Sequence, residues 1–276
     1  MESKLVVRQI DSLDHQELAP YRTLRMPVEH MKQGIFVAEG EKVVRRLLES
    51  NLTIVSMLMT QEWFDTIFPA HHSTINHSPT VFVAGRELLE EIVGYNLHQG
   101  IMAVAKIPSQ RSLEELTGGL PIPHLLVALD GLVNSENVGV IVRNCAAFGV
   151  DAIIVGETSS SPYLRRAVRN SMGAVFRLPV VHPTRLVEAL EFLKRQHGTK
   201  IIAAHPHEPS AIMTSDMSGN ACIVFGNEGE GISENVLKVC TDRIAIPMLN
   251  EIDSLNVSSA SAVFLYEASS QRSKSS

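Results

Sequence analysis

Cysteine is scarce in this 276-residue chain: Cys145, Cys222 and Cys240 are the only three, far apart and without a Cys-x-x-Cys pair. An odd, scattered set argues against a disulfide framework or a thiolate zinc site and suits buried thiols in a reducing compartment. Long apolar runs are also missing; none reaches the roughly 18 residues of a membrane span. The opening MESKLVVRQIDSLDHQELAP lacks the apolar core of a secretory signal and carries too many acids for a transit peptide. A cytoplasmic location is therefore expected.

Other absences are local. The stretch LDGLVNSENVGVIVRNCAAFGVDAIIVG, from Leu129, reads strand, loop, helix, strand, the layout of a nucleotide-binding unit. It has no Gly-x-Gly-x-x-Gly and no Walker lysine, so phosphates lack their usual cradle. From Thr158 to Val187 there is no acidic residue, but there are five arginines: Arg165, Arg166, Arg169, Arg177 and Arg185. That stretch reads either as a phosphate-binding face or as a solvated helix face balanced by acids elsewhere. The formal charge of −6 does not advertise a nucleic-acid partner. A content of 45% hydrophobic and 20% charged residues is that of an ordinary globular protein.

What is present divides the chain into a small α/β unit over 1–105, a linker over 106–122 and a larger unit over 123–276. The linker falls in KIPSQRSLEELTGGLPIPH, whose prolines and Gly-Gly pair surround a short helix. In the first unit, helices are expected over 21–32 and 86–93, IFVAEGEKVVRRLLES places Val43, Val44, Leu47 and Leu48 on one helical face, and strands are expected at 55–59, 81–84 and 98–106. In the second, strands at 125–129, 152–155, 176–181, 201–204, 222–225 and 243–246 alternate with helices. The first of these helices would be capped by Ser135 and end near Gly149. The next would start at Ser161–Pro162, another would run from Thr184 to Gly198, and the last would cover about 256–269. Such alternation implies a mostly parallel sheet with helices on both faces and ligands at the carboxyl ends of its strands. The polar loops at 130–137, 226–231 and 247–256 should then converge on one site.

Each loop has a chemical character. In the first, helical spacing sets Val138, Ile141, Val142, Cys145 and Phe148 mainly against the sheet, with Asn137 and Gly139 near the helix start and Arg143 somewhat under two turns beyond Asn137. In the second, VFGNEGEGIS, three glycines after a buried strand let backbone groups face a ligand, and Glu228 suits a cationic or ribose-bearing ligand better than a triphosphate. In the third, IPMLNEIDSLNVSSASAVFLYE, Pro247 stops the strand, Ser254 or Asn256 can cap the last helix, and small residues from Ser258 to Ala262 permit close packing.

In this order, NVGVIVR, GNEGEG and IPM…SLNVSSA resemble the three motifs of the SpoU (TrmH-type) branch of the SPOUT RNA methyltransferases, with RNSMGA between the first two. FVAEGEKVV and HQGIMAV are similar to that family's usual N-terminal substrate-binding domain, so the resemblance covers nearly the whole chain. It implies an α/β fold with a deep trefoil knot, S-adenosylmethionine as cofactor, RNA as partner, a homodimer that completes the site, and neither metal nor membrane. Carried over motif by motif, Gly226, Ile246 and Leu255, with Asn227 and Met248 beside them, would hold the cofactor. Asn137, Arg143, Glu228, Ser254 and Asn256 would serve methyl transfer to a ribose 2′-hydroxyl of ribosomal or transfer RNA. Accounts of the family often make the arginine a base; guanidinium groups stay protonated in proteins, so Arg143 is expected instead to grip the phosphate beside the target ribose. Arg165, Arg166 and Arg169, with Arg22, Arg25 and Arg45 of the first unit, become candidate RNA contacts. The family commonly has Asp-Pro where this chain has Asn134–Ser135, from which altered loop geometry or substrate choice is expected.

Two other readings compete. One is an RNA-binding or assembly protein without catalysis, which the intact Arg143, Glu228 and Asn256 disfavour. The other is a metal hydrolase built on His71, His72 and His77 or on His205, His207 and Glu208, which their loop-like spacing disfavours.

Overall fold

The computed structural model describes residues 6–71, 79–93, 100–206, 208, 210–250 and 253–274. The chain forms two compact units, Met1–Pro108 with Tyr163–Phe176, and Ser109–Pro162 with Arg177–Ser276.

The first unit contains β1 (Val6–Ile10), α1 (Ala19–Arg22), α2 (Pro27–Lys32), β2 (Ile35–Glu39), α3 (Glu41–Leu48), β3 (Ile54–Met59), α4 (Gln61–His71), β4 (Thr80–Ala84), α5 (Arg86–Val93) and β5 (Ile101–Lys106). Its sheet has the order β1-β4-β3-β5-β2, parallel from β1 to β3 and antiparallel across β5. The single helix expected over 21–32 is in fact two. Pro27 disfavours the helical region for the residue before it, and Met26 sits at φ −112° and ψ 68°. β1 lies where the sequence pattern indicates no strand, because it is an edge strand with four of its five residues exposed. α4 also lacks a clear pattern, and the beginning of the strand expected from His98 lies outside the described residues. In α3 the spacing holds: Val43, Val44, Leu47 and Leu48 are buried together.

The second unit begins with α6 (Leu113–Thr117), β6 (Leu125–Leu129), α7 (Ser135–Ala147) and β7 (Ala152–Val155). After α8 (Arg165–Asn170), which belongs to the first unit, it continues with β8 (Val180–Val181), α9 (Leu186–His197), β9 (Lys200–Ala204), β10 (Ala221–Phe225), α10 (Glu234–Val239), β11 (Asp242–Ile244) and α11 (Val257–Lys274). The six strands are parallel throughout, in the order β11-β9-β10-β6-β7-β8. Strands buried on both faces read as unbroken apolar runs such as LLVAL, AIIV and ACIVF. Leu126, Ala128, Cys222 and Val224 face a core shared with α6, α9 and α10. The opposite face carries α7 and α11, where the Phe225 and Phe264 rings meet edge to face at 5.9 Å. Leu113 and Leu116 lie in that first core, so the helix inside the expected linker is part of the second unit, its start fixed by a Ser112–Glu115 capping box.

The segment 163–176 departs furthest from expectation. Tyr163 and Phe176 both pack on Phe36 of β2, with ring centroids 5.5 Å away in each case. Arg165 pairs with Glu39 at 2.6 Å, and Arg169 lies 3.7 Å from the same carboxylate. Because Tyr163 is drawn onto Phe36, α8 starts at Arg165 behind Leu164 and not at Ser161–Pro162. Phe176 ends a 3-10 turn, and the strand expected over 176–181 shrinks to β8. Phe36→Ala should therefore cost about 3–5 kcal/mol in denaturant unfolding; a loss under about 1 kcal/mol would mean that these rings do not hold the segment.

Candidate active site

β6 is the strand at which the sheet order reverses: β7 and β8 follow on one side, and β10, β9 and β11 lie on the other. Loops leaving the adjacent strands β6 and β10 both lie at the carboxyl ends of the sheet, where ligands of such sheets bind. Asn134 shapes the first loop by capping α7, its Oδ1 accepting from the N–H groups of Glu136 at 2.9 Å and Asn137 at 3.4 Å. Ser135 is thus the first helical residue and not the expected cap. An amide oxygen accepts the bonds an aspartate would accept, and the first helical position favours proline without requiring it. The helix start is therefore intact despite Asn134–Ser135. Asp130, buried after β6, accepts from the Ser233 N–H at 2.7 Å and ties this loop to the one after β10.

The second loop is a tight turn. Asn227 and Gly231 exchange backbone hydrogen bonds of 2.9 and 3.0 Å. Asn227 Oδ1 accepts from the N–H groups of Gly229 and Glu230 at 2.8 and 3.1 Å, and its Nδ2 donates to the Gly131 carbonyl at 2.8 Å. The turn folds back so closely that a Cβ at Gly226 would lie well under 3.0 Å from the Gly231 carbonyl carbon and the Ile232 nitrogen. Only glycine permits that approach. Glu228, exposed on the turn, accepts a 2.6 Å hydrogen bond from Asn137 Nδ2, joining α7 to the glycine loop.

The third loop ends at Asn256, which caps α11 by accepting from the N–H and hydroxyl of Ser258 at 2.9 and 2.6 Å. Asn144 of α7 fixes that helix start, donating to the Ser258 carbonyl at 3.0 Å and to Ser261 Oγ at 2.9 Å.

Between the loops after β9, β10 and β11 lies a cavity of about 370 Å³, large enough for a small organic ligand. Phe225, Ile232, Ile246 and Phe264 give it apolar walls, and the exposed Glu228, Asp253 and Ser254 give it polar groups. Gly226, Asn227, Ile246, Met248 and Leu255 all line it, as do Glu228, Ser254 and Asn256. Asn137 is linked to it through Glu228. Arg143 is not part of the lining; it is exposed on α7 with no hydrogen bond or ion pair to a described residue. Two expected site residues have side chains committed to construction: Asn227 to its turn and Asn256 to its cap.

Sequence reasoning missed Asp130 and the loop after β9, where His205 and Pro206 line the cavity. The available signal was the position of that loop, at the carboxyl end of a parallel strand like the other three. Among the candidate RNA contacts, Arg22, Arg25, Arg166 and Arg169 are exposed, Arg169 lying 3.7 Å from Glu39; Arg45 pairs with Glu41 at 3.0 Å and Arg165 with Glu39. No group of residues suited to a metal ion, and no helix long and apolar enough to cross a membrane, occurs among the described residues. His72, His77 and His207 lie outside them.

Residues 124–266 match the model of the SpoU rRNA Methylase family. An uncharacterized tRNA/rRNA methyltransferase of Mycobacterium bovis is 29% identical over 272 residues, which cover 95% of this chain and 92% of that one. The 23S rRNA (guanosine-2′-O-)-methyltransferase RlmB of Escherichia coli is 31% identical over 210 residues, 75% of this chain and 86% of its own. Among solved structures, the SpoU methyltransferase AviRb from Streptomyces viridochromogenes in complex with the cofactor AdoMet shares the fold, with a TM-score of 0.78 at 20% identity, over 93% of this chain and 99% of that one.

Gly226→Ala should destabilise the second unit by about 1–3 kcal/mol through overpacking against backbone, read as a lowered melting temperature. An unchanged melt would mean that the turn yields without cost.

Proposed function

Because the chain belongs to the SpoU rRNA methylase family, we propose that it transfers a methyl group from S-adenosylmethionine to a ribose 2′-hydroxyl of ribosomal or transfer RNA. The observation that carries this reading is the Asn137–Glu228 hydrogen bond, which joins the start of α7 to the rim of the cavity. The cavity fits the cofactor: apolar walls suit the adenine, while Glu228 and Asp253 suit a ligand with sulfonium and ammonium charges. When bound, S-adenosylmethionine supplies an electrophilic methyl group. The residues of this chain have to orient the acceptor oxygen toward it, and proximity supplies much of the acceleration.

Each matched residue then has a part. Gly226, Ile246, Met248 and Leu255 enclose the cofactor, and Asn227 shapes the turn that does so. Asn137 holds the Glu228 carboxylate, which can accept a hydrogen bond from the incoming hydroxyl. Ser254 and Asn256 border the same space. Arg143, exposed on α7 and unpaired among the described residues, grips the neighbouring phosphate through its fork of donors. RNA is drawn by Arg22, Arg25, Arg45, Arg166 and Arg169, with Arg165 anchoring the arginine-bearing segment on Glu39. We also propose a homodimer through the α7 and α11 face, where Val263 is 39% and Tyr266 63% exposed beside Phe148. The chain runs from β11 at the sheet edge back to α11 on α7, and this return supports a trefoil knot. Three free cysteines suit the cytoplasm.

The test is methyl transfer from labelled S-adenosylmethionine into total cellular RNA, followed by digestion to nucleosides. Label in 2′-O-methyl nucleosides is the expected result. Label on a base would overturn the ribose assignment, and no label with no cofactor binding would favour an RNA-binding module. Arg143→Ala should lower kcat/KM about 100-fold. Arg143→Lys should recover little of it, and near-normal turnover with unchanged RNA affinity in that variant would sink the phosphate role.

A further inference from the structure

The sequence HPHEPS follows β9, outside the three motif loops. The His205 N–H donates to the Ile244 carbonyl of β11 at 3.0 Å, so its backbone is fixed in the sheet. Its imidazole, half-buried, lines the cavity. Nδ1 lies 2.8 Å from the Pro206 carbonyl oxygen and 3.3 Å from Glu208 Oε1, and Arg243 is 3.9 Å from that same carboxylate oxygen. Both neighbours of Nδ1 are acceptors, which assigns the ring proton of the neutral imidazole to Nδ1 and leaves Nε2 as a hydrogen-bond acceptor.

The strand order fixes what that acceptor can address. β9 lies on one side of β10, and β6, with the Asn137–Glu228 contact, lies on the other. His205 therefore leaves the sheet on the opposite side of β10 from the strand that leads to Asn137. Its neighbours in the lining, Ala204 and Pro206, are apolar and suit a ring system. A ligand carboxylate would face an acceptor nitrogen backed by Glu208, and an ammonium has Glu228 and Asp253 elsewhere on the lining.

We infer that His205, oriented by Glu208, reads the adenosyl half of S-adenosylmethionine by accepting a hydrogen bond at Nε2 from a ribose hydroxyl or the exocyclic amine. This rests on the methyltransferase reading above and adds to it a side-chain contact from a loop outside the motifs.

The test is calorimetric binding to the full chain of S-adenosylhomocysteine and of 5′-methylthioadenosine, which keeps the adenosyl half and lacks the amino acid. His205→Ala should weaken both ligands by the same factor, about five- to tenfold for one hydrogen bond. His205→Gln, which can offer an oxygen near the Nε2 position, should recover most of the loss. Unchanged affinity in His205→Ala would overturn the inference, and so would a loss confined to S-adenosylhomocysteine, which would put the ring at the amino-acid end. Absence of binding of either ligand by the unaltered chain would overturn the methyltransferase reading itself, and this inference with it.

Discussion

Gly226 passes the backbone of Gly231 and Ile232 at a distance that no side chain can share, and the site is stacked on that contact. Once the turn is folded onto the end of β10, Asn227 can reach Gly131, Ser233 can reach Asp130, and Glu228 projects to where Asn137 meets it. Widening the turn by one methyl group would strain all three links together, since they share a short backbone path. The polar side chains inside the loops are spent largely on holding the loops. What faces the cavity is largely apolar surface, with Glu228, Asp253 and Ser254 at exposed positions and His205 on the side of β9.

α11 is restrained at both ends, and this restraint supplies the third wall. Asn144 secures its start. Near its other end, Arg272 donates to the carbonyls of Pro123 at 3.1 Å, His124 at 2.9 Å and Gly219, at the amino-terminal ends of β6 and β10. Gln271 adds a bond from the Met217 N–H at 2.8 Å. Burial, together with the His197 imidazole, keeps His124 below the usual histidine range, so it stays neutral beside Arg272 and bonded to Thr199 Oγ1 at 2.8 Å. Leu255, just before this helix, lines the cavity while 42% exposed.

The parallel sheet was legible because strands buried on both faces leave continuous apolar runs, and its ligand-binding edge followed from strand polarity alone. Other features depended on information that is not local. Asn134 and Ser135 are both good caps, and only the backbone decides between them. Nothing near Tyr163 or Phe176 announces that Phe36, more than a hundred residues earlier, is their packing partner. Pro27 was a visible signal that helical spacing alone outweighed. The loop after β9 carries no glycine pattern, so its place on the cavity became evident only from the strand order.

Sequence distance also hides how charge is distributed. The formal charge is −6, and the cavity displays Glu228 and Asp253, which repel phosphate. Yet the segment 163–176 joins the first unit, so Arg166 and Arg169 belong to the same compact body as Arg22 and Arg25. Glu39 pairs with Arg165 and also lies 3.7 Å from Arg169, while Arg22, Arg25, Arg166 and Arg169 are exposed. On the proposed reading, attraction of the RNA and methyl transfer belong to different units. The carboxylates can then favour a cationic cofactor without weakening RNA capture. On that reading the second unit still needs one cation for the phosphate next to the reacting ribose, and Arg143 on α7, exposed and without an ion pair to a described residue, meets that need.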